Sequence, residues 1–245
     1  YTRDMCGIAG LIKSDQQDRL ESQVRVMTDT LTHRGPDDCG VWVDANAGIA
    51  LAHRRLSILD LSPTGHQPMH SACGRYVIVF NGEIYNWSEL RSSLESAGQA
   101  YHWRGHSDTE VLLAAIGVWG LSTALSRARG MFAFALWDRA EQSLYLARDR
   151  VGEKPLYYGM AGNAFVFGSE LKAVRALPHW QANIDPEALA LFLRYGYVPA
   201  PRSIYRGIYK LPPGTFLQIR CDGSYGAPVQ WWQFGKIAVE QARNT

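Results

Sequence analysis

Hydrophobic positions recur along this chain with two periods, and the switches between them mark its elements. Ile8 to Ile12 is a short continuous apolar run, which reads as a buried strand. Leu20, Val24, Met27 and Leu31 then recur at steps of four, three and four residues. That spacing puts them on one face of a helix, which Gly35-Pro36 is expected to stop. Strand-like segments follow around Val41 to Val43 and Gly48 to Ala52. Tyr76 to Phe80 is a compact β-branched and aromatic run, expected as a strand that delivers Asn81-Gly82-Glu83 at its end. Asn86, with Glu89 three residues on, reads as the N-cap of a helix that presents Trp87, Leu90, Leu94 and Ala97 and stops at Gly98. Ser107-Asp108-Thr109-Glu110 is a second capping box, opening an apolar helix that runs to about Trp119.

Beyond Gly130 the period shortens to that of strands: Met131 to Trp137, Leu144 to Ala147, Leu156 to Gly159 and Ala164 to Gly168, with Gly162-Asn163 as a hairpin turn. These four read as one β-meander. A helix is expected over Pro186 to Tyr195, and a last strand pair over Phe216 to Ile219 and Val229 to Trp232. Lys236 to Arg243 has the texture of a helix that continues past Thr245, so the chain is expected to be part of a longer protein.

Composition narrows the class. The 245 residues are 47% hydrophobic and 20% charged with a net charge of +2, as in ordinary globular domains. Basic residues are scattered, which argues against nucleic acid and anionic membrane as partners. The longest apolar stretches, near Val111 to Trp119 and Met131 to Trp137, fall short of the roughly 18 residues that a membrane span requires. Cys6, Cys39, Cys73 and Cys221 show neither metal-ligand nor CxxC spacing, and a reducing, cytoplasmic setting is expected.

Four separated stretches carry the chemistry. Cys6 follows Met5, so removal of residues 1–5 would make it N-terminal, its thiol beside an α-amine able to act as base. A buried cysteine opening a strand is the plainer alternative. His53-Arg54-Arg55-Leu56-Ser57-Ile58 supplies an arginine whose planar fork suits a carboxylate. If this segment is a strand, Arg54 and Arg55 point to opposite faces. Asn81-Gly82 can offer a side-chain amide and a backbone N–H to a developing oxyanion, although Asn-Gly is also the strongest short hairpin signal. Asp108 stands in the first turn of a helix, where the positive dipole end is expected to favour its ionised form and suit it to an α-ammonium group. An acidic residue in a first turn is common without any such role.

Together these stretches resemble the class II glutamine amidotransferase domain of the N-terminal nucleophile (Ntn) hydrolases, and within it that of the glutamine-hydrolysing asparagine synthetases. The matching motifs are Met5-Cys6-Gly7-Ile8-Ala9-Gly10, His33-Arg34-Gly35-Pro36-Asp37-Asp38, Leu51-Ala52-His53-Arg54-Arg55-Leu56-Ser57-Ile58, Phe80-Asn81-Gly82-Glu83-Ile84-Tyr85-Asn86 and Ser107-Asp108-Thr109-Glu110. Gly130 to Ala135, Arg148-Asp149-Arg150, Lys154 to Tyr158 and Leu211 to Gly214 match as well. The likeness runs from Met5 to about Trp232.

The resemblance implies an α+β fold, the four-layer αββα sandwich, with residues 6–232 as the glutaminase domain, 1–5 as an extension and 233–245 as the start of a linker. It implies Cys6 as nucleophile with its own α-amine as base, forming a γ-glutamyl thioester from L-glutamine, and Asn81 and Gly82 as oxyanion donors. Arg55 would take the substrate α-carboxylate, Glu83 and Asp108 the α-ammonium, and the backbone at Ser57 and Ile58 would orient the substrate. Arg55 is preferred to Arg54 because the family motif varies at the position before the arginine that precedes Leu-Ser-Ile. The Arg34 to Asp37 loop would shape the pocket, and Cys39, Cys73 and Cys221 match no catalytic position.

No metal or cofactor is expected for this half reaction. ATP and Mg²⁺ would belong to a synthetase domain in cis, which amidates aspartate; its SGG-x-DS-type loop does not occur in these 245 residues. Dimers are common in the family. With residues 1–5 attached, the nitrogen of Cys6 is an amide and cannot serve as base, so that form is expected to be inactive. Three alternatives stay open: another carboxylate acceptor, such as a sugar acid of surface polysaccharides; a stand-alone amidase for another γ-glutamyl compound; and a non-catalytic glutamine-binding module.

Overall fold

A computed structural model describes residues 5–13, 17–56, 65–96, 102–178 and 180–235. Its strands are β1 (Gly7–Ile12), β2 (Asp38–Asp44), β3 (Ile49–Arg55), β4 (Met69–His70), β5 (Tyr76–Ile84), β6 (Gly130–Asp138), β7 (Ser143–Arg148), β8 (Tyr157–Ala161), β9 (Ala164–Gly168), β10 (Ile208–Lys210), β11 (Thr215–Arg220) and β12 (Val229–Gln230). The helices are α1 (Leu20–Asp29), α2 (Trp87–Ser96), α3 (Asp108–Trp119), α4 (Leu121–Arg127), α5 (Leu171–Arg175) and α6 (Pro186–Tyr195). Two antiparallel sheets of six strands form, in the orders β10-β8-β9-β1-β3-β2 and β12-β11-β7-β6-β5-β4.

Strand alternation builds the layers, because successive side chains point to opposite faces. Ile8, Ile49, Leu51, Val77, Val79, Ala133, Ala135 and Trp137 meet between the sheets. The intervening Ala9, Leu11, Ala50 and Ala52 pack outward on α1 and α5. Ile78, Phe80, Phe132 and Phe134 pack outward on α2, α3 and α4. The result is the four-layer αββα sandwich. Phe132, Phe134, Phe165 and Phe167 are fully buried, each worth roughly 1.5–3 kcal/mol of transfer free energy.

Several expectations are corrected. The four strands from Gly130 to Gly168 are not one meander: β6 and β7 lie in one sheet, β8 and β9 in the other. The crossing between them is built around Asp149, which is fully buried and whose carboxylate accepts from the backbone N–H groups of Phe132, Val151, Gly152, Glu153 and Lys154. Strand period alone says nothing of which sheet a strand joins. The hairpin expected at Gly162-Asn163 does form between β8 and β9, with Ala161 paired to Ala164 and Gly162 at φ +68°.

Helix α1 ends at Asp29, ahead of Gly35-Pro36. There the Thr28 and Thr30 hydroxyls donate to the Val24 and Met27 carbonyls, and residues to Arg34 continue as turns. Asn81-Gly82 makes no hairpin; both residues lie inside β5 and pair with Ala133 and Phe132. Asn86 spends its side-chain amide on Arg129 N–H and Arg127 C=O rather than on its own helix. Ser107 does cap α3, accepting from Thr109 N–H, but Glu110 reaches the N–H groups of Arg104 and Gly105 instead of closing the box. Ala97, Gly98 and the helix expected over Lys236 to Arg243 lie outside the described residues.

Candidate active site

The inward faces of β3 and β5 turn polar at one end of the sandwich, beside the starts of β1 and β6. Along β3 the inward sequence Ile49, Leu51 continues into His53 and Arg55, and along β5 Val77, Val79 continues into Asn81 and Glu83. By the same alternation, Ile8 of β1 is preceded by Cys6, and Ala133 of β6 by Met131. These six residues, with Leu56, Gly65, Gln67, Gly82, His106, Asp108 and Lys154 among others, line one cavity of about 210 Å³. Cys6, Arg55, Asn81, Gly82, Glu83 and Asp108 are thus brought together. Ser57 and Ile58 lie outside the described residues.

Alternation also separates the two arginines. Arg54 faces outward, where its Nε donates to Thr28 C=O and its Nη2 pairs with the Asp29 carboxylate. Arg55 faces the cavity, and a Cβ on Gly65 would sit 2.3 Å from its Nη2, so a glycine there leaves room for the guanidinium.

Cys6 lines this cavity and is held in place by its neighbours. Leu56 N–H donates to its Sγ at 3.4 Å, and Arg34 Nε donates to its carbonyl at 3.0 Å. Glu170 in turn holds the Arg34 Nη1 at 2.9 Å. Burial pushes the thiol above its ordinary value, while the Leu56 N–H and the cations Arg55, Arg34 and Lys154 oppose that rise. The Lys154 ammonium is itself pushed down by burial and by Arg34.

Three alternate N–H groups along one edge of β5 define the opposite wall. Phe80 N–H donates to Gln67 Oε1 at 2.6 Å, and Ile84 N–H donates to Asp108 Oδ2 at 2.8 Å. Gly82 N–H lies between them on the same edge and lines the cavity. Close approach demands a glycine there, since a Cβ would stand 2.2 Å from Met131 O. The Asn81 side chain is 1% exposed, and its Nδ2 has no hydrogen-bond partner among the described residues. An amide donor and a backbone N–H facing a thiol are what a developing oxyanion requires.

Asp108 behaves differently from expectation. Burial raises its carboxyl, and the Glu83 charge adds to the rise, outweighing the N–H groups of Ile84 and Thr109 that it accepts. Desolvation exceeds the benefit of the helix end. An ammonium group placed between Glu83 and Asp108 would reverse that balance.

His53, Gln67, Arg34 and Lys154 were not assigned catalytic or substrate-binding positions from the sequence. Continuing the inward parity of β3 by one step past Leu51 would have found His53; nothing local marks Gln67 or Lys154. Burial drives the His53 imidazole down to about 4, against the opposing hydrogen bond to Phe80 C=O. Unfolding returns it to about 6.5, so the unfolded chain binds a proton that the fold refuses, and stability drains by roughly 3 kcal/mol as pH falls from about 6.5 to about 4. Denaturant titrations should show wild type losing more stability than His53→Gln between about pH 7 and pH 4.5; equal losses would assign the acid sensitivity elsewhere.

A family profile described as "Glutamine amidotransferase domain" matches residues 5–232. The chain is 37% identical to asparagine synthetase [glutamine-hydrolyzing] 3 of Bacillus subtilis (strain 168), covering 97% of this chain and 38% of that protein. It is 39% identical to asparagine synthetase [glutamine-hydrolyzing] 1 of the same organism, over 89% of this chain and 34% of the relative. The amidase chry2 of Gibberella zeae is 35% identical over 88% of this chain and 32% of its own length. The chain therefore spans about a third of the length of these relatives. In fold it matches the glutamine phosphoribosylpyrophosphate amidotransferase of B. subtilis at a TM-score of 0.67 and 20% identity, covering 93% of this chain and 50% of the solved one.

Proposed function

We propose, from the premise that this chain belongs to the glutamine amidotransferase domain family, that Cys6 hydrolyses L-glutamine and that the residues around it act as follows. The free α-amine of Cys6 takes the thiol proton, and the thiolate adds to the side-chain carboxamide carbon. The resulting oxyanion is received by Asn81 Nδ2 and Gly82 N–H, each donor worth roughly 2.7–4 kcal/mol in such a site. The protonated amine returns its proton to the departing nitrogen, ammonia leaves, and a γ-glutamyl thioester remains. Water then adds to the thioester with the amine again as base, and collapse releases glutamate and the thiol. Arg55 binds the substrate α-carboxylate, and Glu83 with Asp108 binds its α-ammonium.

The observation that carries this reading is the buried, unpartnered Asn81 amide facing the cavity that holds Cys6. Arg55→Lys is expected to raise KM for glutamine on the order of tenfold or more with a smaller change in kcat, because an ammonium cannot match a bidentate fork. Steady-state glutamate release measures this, and an unchanged KM would remove Arg55 from substrate binding.

In the longer protein, ammonia would pass to an ATP- and Mg²⁺-dependent synthetase domain in cis that amidates aspartate. What favours aspartate over another acceptor is that the two asparagine synthetases above resemble this chain across 89–97% of its length. Asparagine formation by that protein from aspartate, ATP, Mg²⁺ and glutamine is the test. A cytoplasmic setting fits the free thiols of Cys6, Cys39, Cys73 and Cys221. Among the described residues, no helix is long and apolar enough to cross a membrane.

A further inference from the structure

Phe80 immediately precedes Asn81, and both of its backbone polar groups are held by side chains rather than by a neighbouring strand. β4 pairs Met69 with Ile78 and His70 with Val77, so the residue in line to oppose Phe80 is Gln67. β4 begins only at Met69, so on this edge no main-chain pairing reaches Phe80. The Gln67 side chain takes over, its Oε1 accepting from Phe80 N–H at 2.6 Å. From the other sheet, His53 Nε2 reaches Phe80 C=O at 3.1 Å. That oxygen only accepts, so Nε2 carries the hydrogen. Both side chains are buried, at 7% and 1% exposure.

We propose that Gln67 and His53 form a clamp on the two peptide planes flanking Phe80, Gln67 on the 79–80 plane and His53 on the 80–81 plane, and so aim the Asn81 amide and the Gly82 N–H at one point. They are positioning residues, acting through Phe80. On its other edge β5 is already set by β6, which pairs with Asn81 and Gly82; the clamp fixes the edge that faces the cavity. Without it, the Phe80 peptide can rotate at the place where the strand has no backbone neighbour. Charged and titratable groups around the clamp are Arg55, Asp38 and His66. This inference rests on the reading of Asn81 and Gly82 as oxyanion donors.

The test uses the chain begun at Cys6 and compares Gln67→Met, His53→Leu and His53→Gln, alone and combined with Asn81→Ala. Gln67→Met and His53→Leu are each expected to lower kcat by about 10- to 100-fold while KM stays within about threefold, since misplacement of donors by an ångström costs up to about that much. His53→Gln keeps a donor for Phe80 C=O and is expected to recover most of the loss. In the Asn81→Ala background the same substitutions should cost less than in the wild type, because one of the two donors that the clamp aims is gone and residues acting through a shared group are not additive. Unchanged kcat in the single variants, or an equal loss in the Asn81→Ala background, overturns the clamp. An Asn81→Ala variant with full kcat instead overturns the reading beneath it, and the clamp with it. Independently of how any variant folds, ¹⁵N-histidine spectra of the wild-type chain should show His53 as the Nε2–H tautomer; an Nδ1–H tautomer overturns the clamp.

Discussion

The chain beginning at Cys6 is expected to release glutamate and ammonia from glutamine, whereas the chain that keeps residues 1–5 should release neither above the background of Cys6→Ala. The difference should reach roughly 10⁴-fold, the scale seen when a member of a nucleophile and base pair is removed. Two physical reasons combine. A peptide bond to Met5 turns the only base proposed for the thiol into an amide nitrogen, which cannot take a proton. Met5 also lines the cavity that holds Cys6, so its side chain takes up space beside the nucleophile. His53, one of two imidazoles that line the cavity, offers no substitute: it is almost wholly buried, its Nε2 is committed to Phe80 C=O, and burial drives its imidazole down to about 4. Turnover by protein shown by mass to retain Tyr1 would sink the mechanism. If neither form turns over but glutamine binds, the binding-module alternative gains the field.

Asp149→Ala is expected to cost about 5 kcal/mol or more, enough to unfold much of the population of a typical domain. The buried Asp149 carboxylate serves five backbone N–H groups at 2.6 to 3.2 Å. Its removal strands the buried N–H groups of Phe132 and Lys154, each with its own desolvation penalty, and takes the charged acceptor from the three N–H groups of the part-buried turn over residues 151–153. Asp149→Asn should sit between the two, since its amide keeps one acceptor oxygen but turns an N–H group toward donors. Equilibrium denaturation measures the shift, and a loss under about 1 kcal/mol would show that the crossing between sheets is held by other means. The consequence would extend to the site, because the same turn carries Lys154 into the cavity of Cys6.

What was legible in the sequence and what was not divide along a physical line. Alternation and helical period located most strands and helices, though not the short β4, β10, α4 and α5, because both are properties of a single segment packing against some apolar surface. The motifs identified Cys6, Arg55, Asn81, Gly82, Glu83 and Asp108, which the fold then gathers in one cavity. Strand parity separated Arg55 from Arg54 before any contact was known.

Partner choice is a different matter, since it depends on groups distant in the chain. Gly130 to Gly168 reads as four similar strands, and only the tertiary structure divides them between two sheets, with Asp149 buried at the crossing. Asn81-Gly82 has the letters of a hairpin, yet pairing with Ala133 and Phe132 keeps it in a strand. Glu110 has the spacing to close its own cap, but the Arg104 and Gly105 N–H groups compete for it successfully. Asp108 has a helix end to favour its charge, and burial beside Glu83 overrides it. Local pattern was enough to mark most elements and the candidate site residues. Their neighbours, and with them solvation, polarity and aim, follow from packing, because burial and hydrogen-bond geometry are set by residues that no local pattern can see.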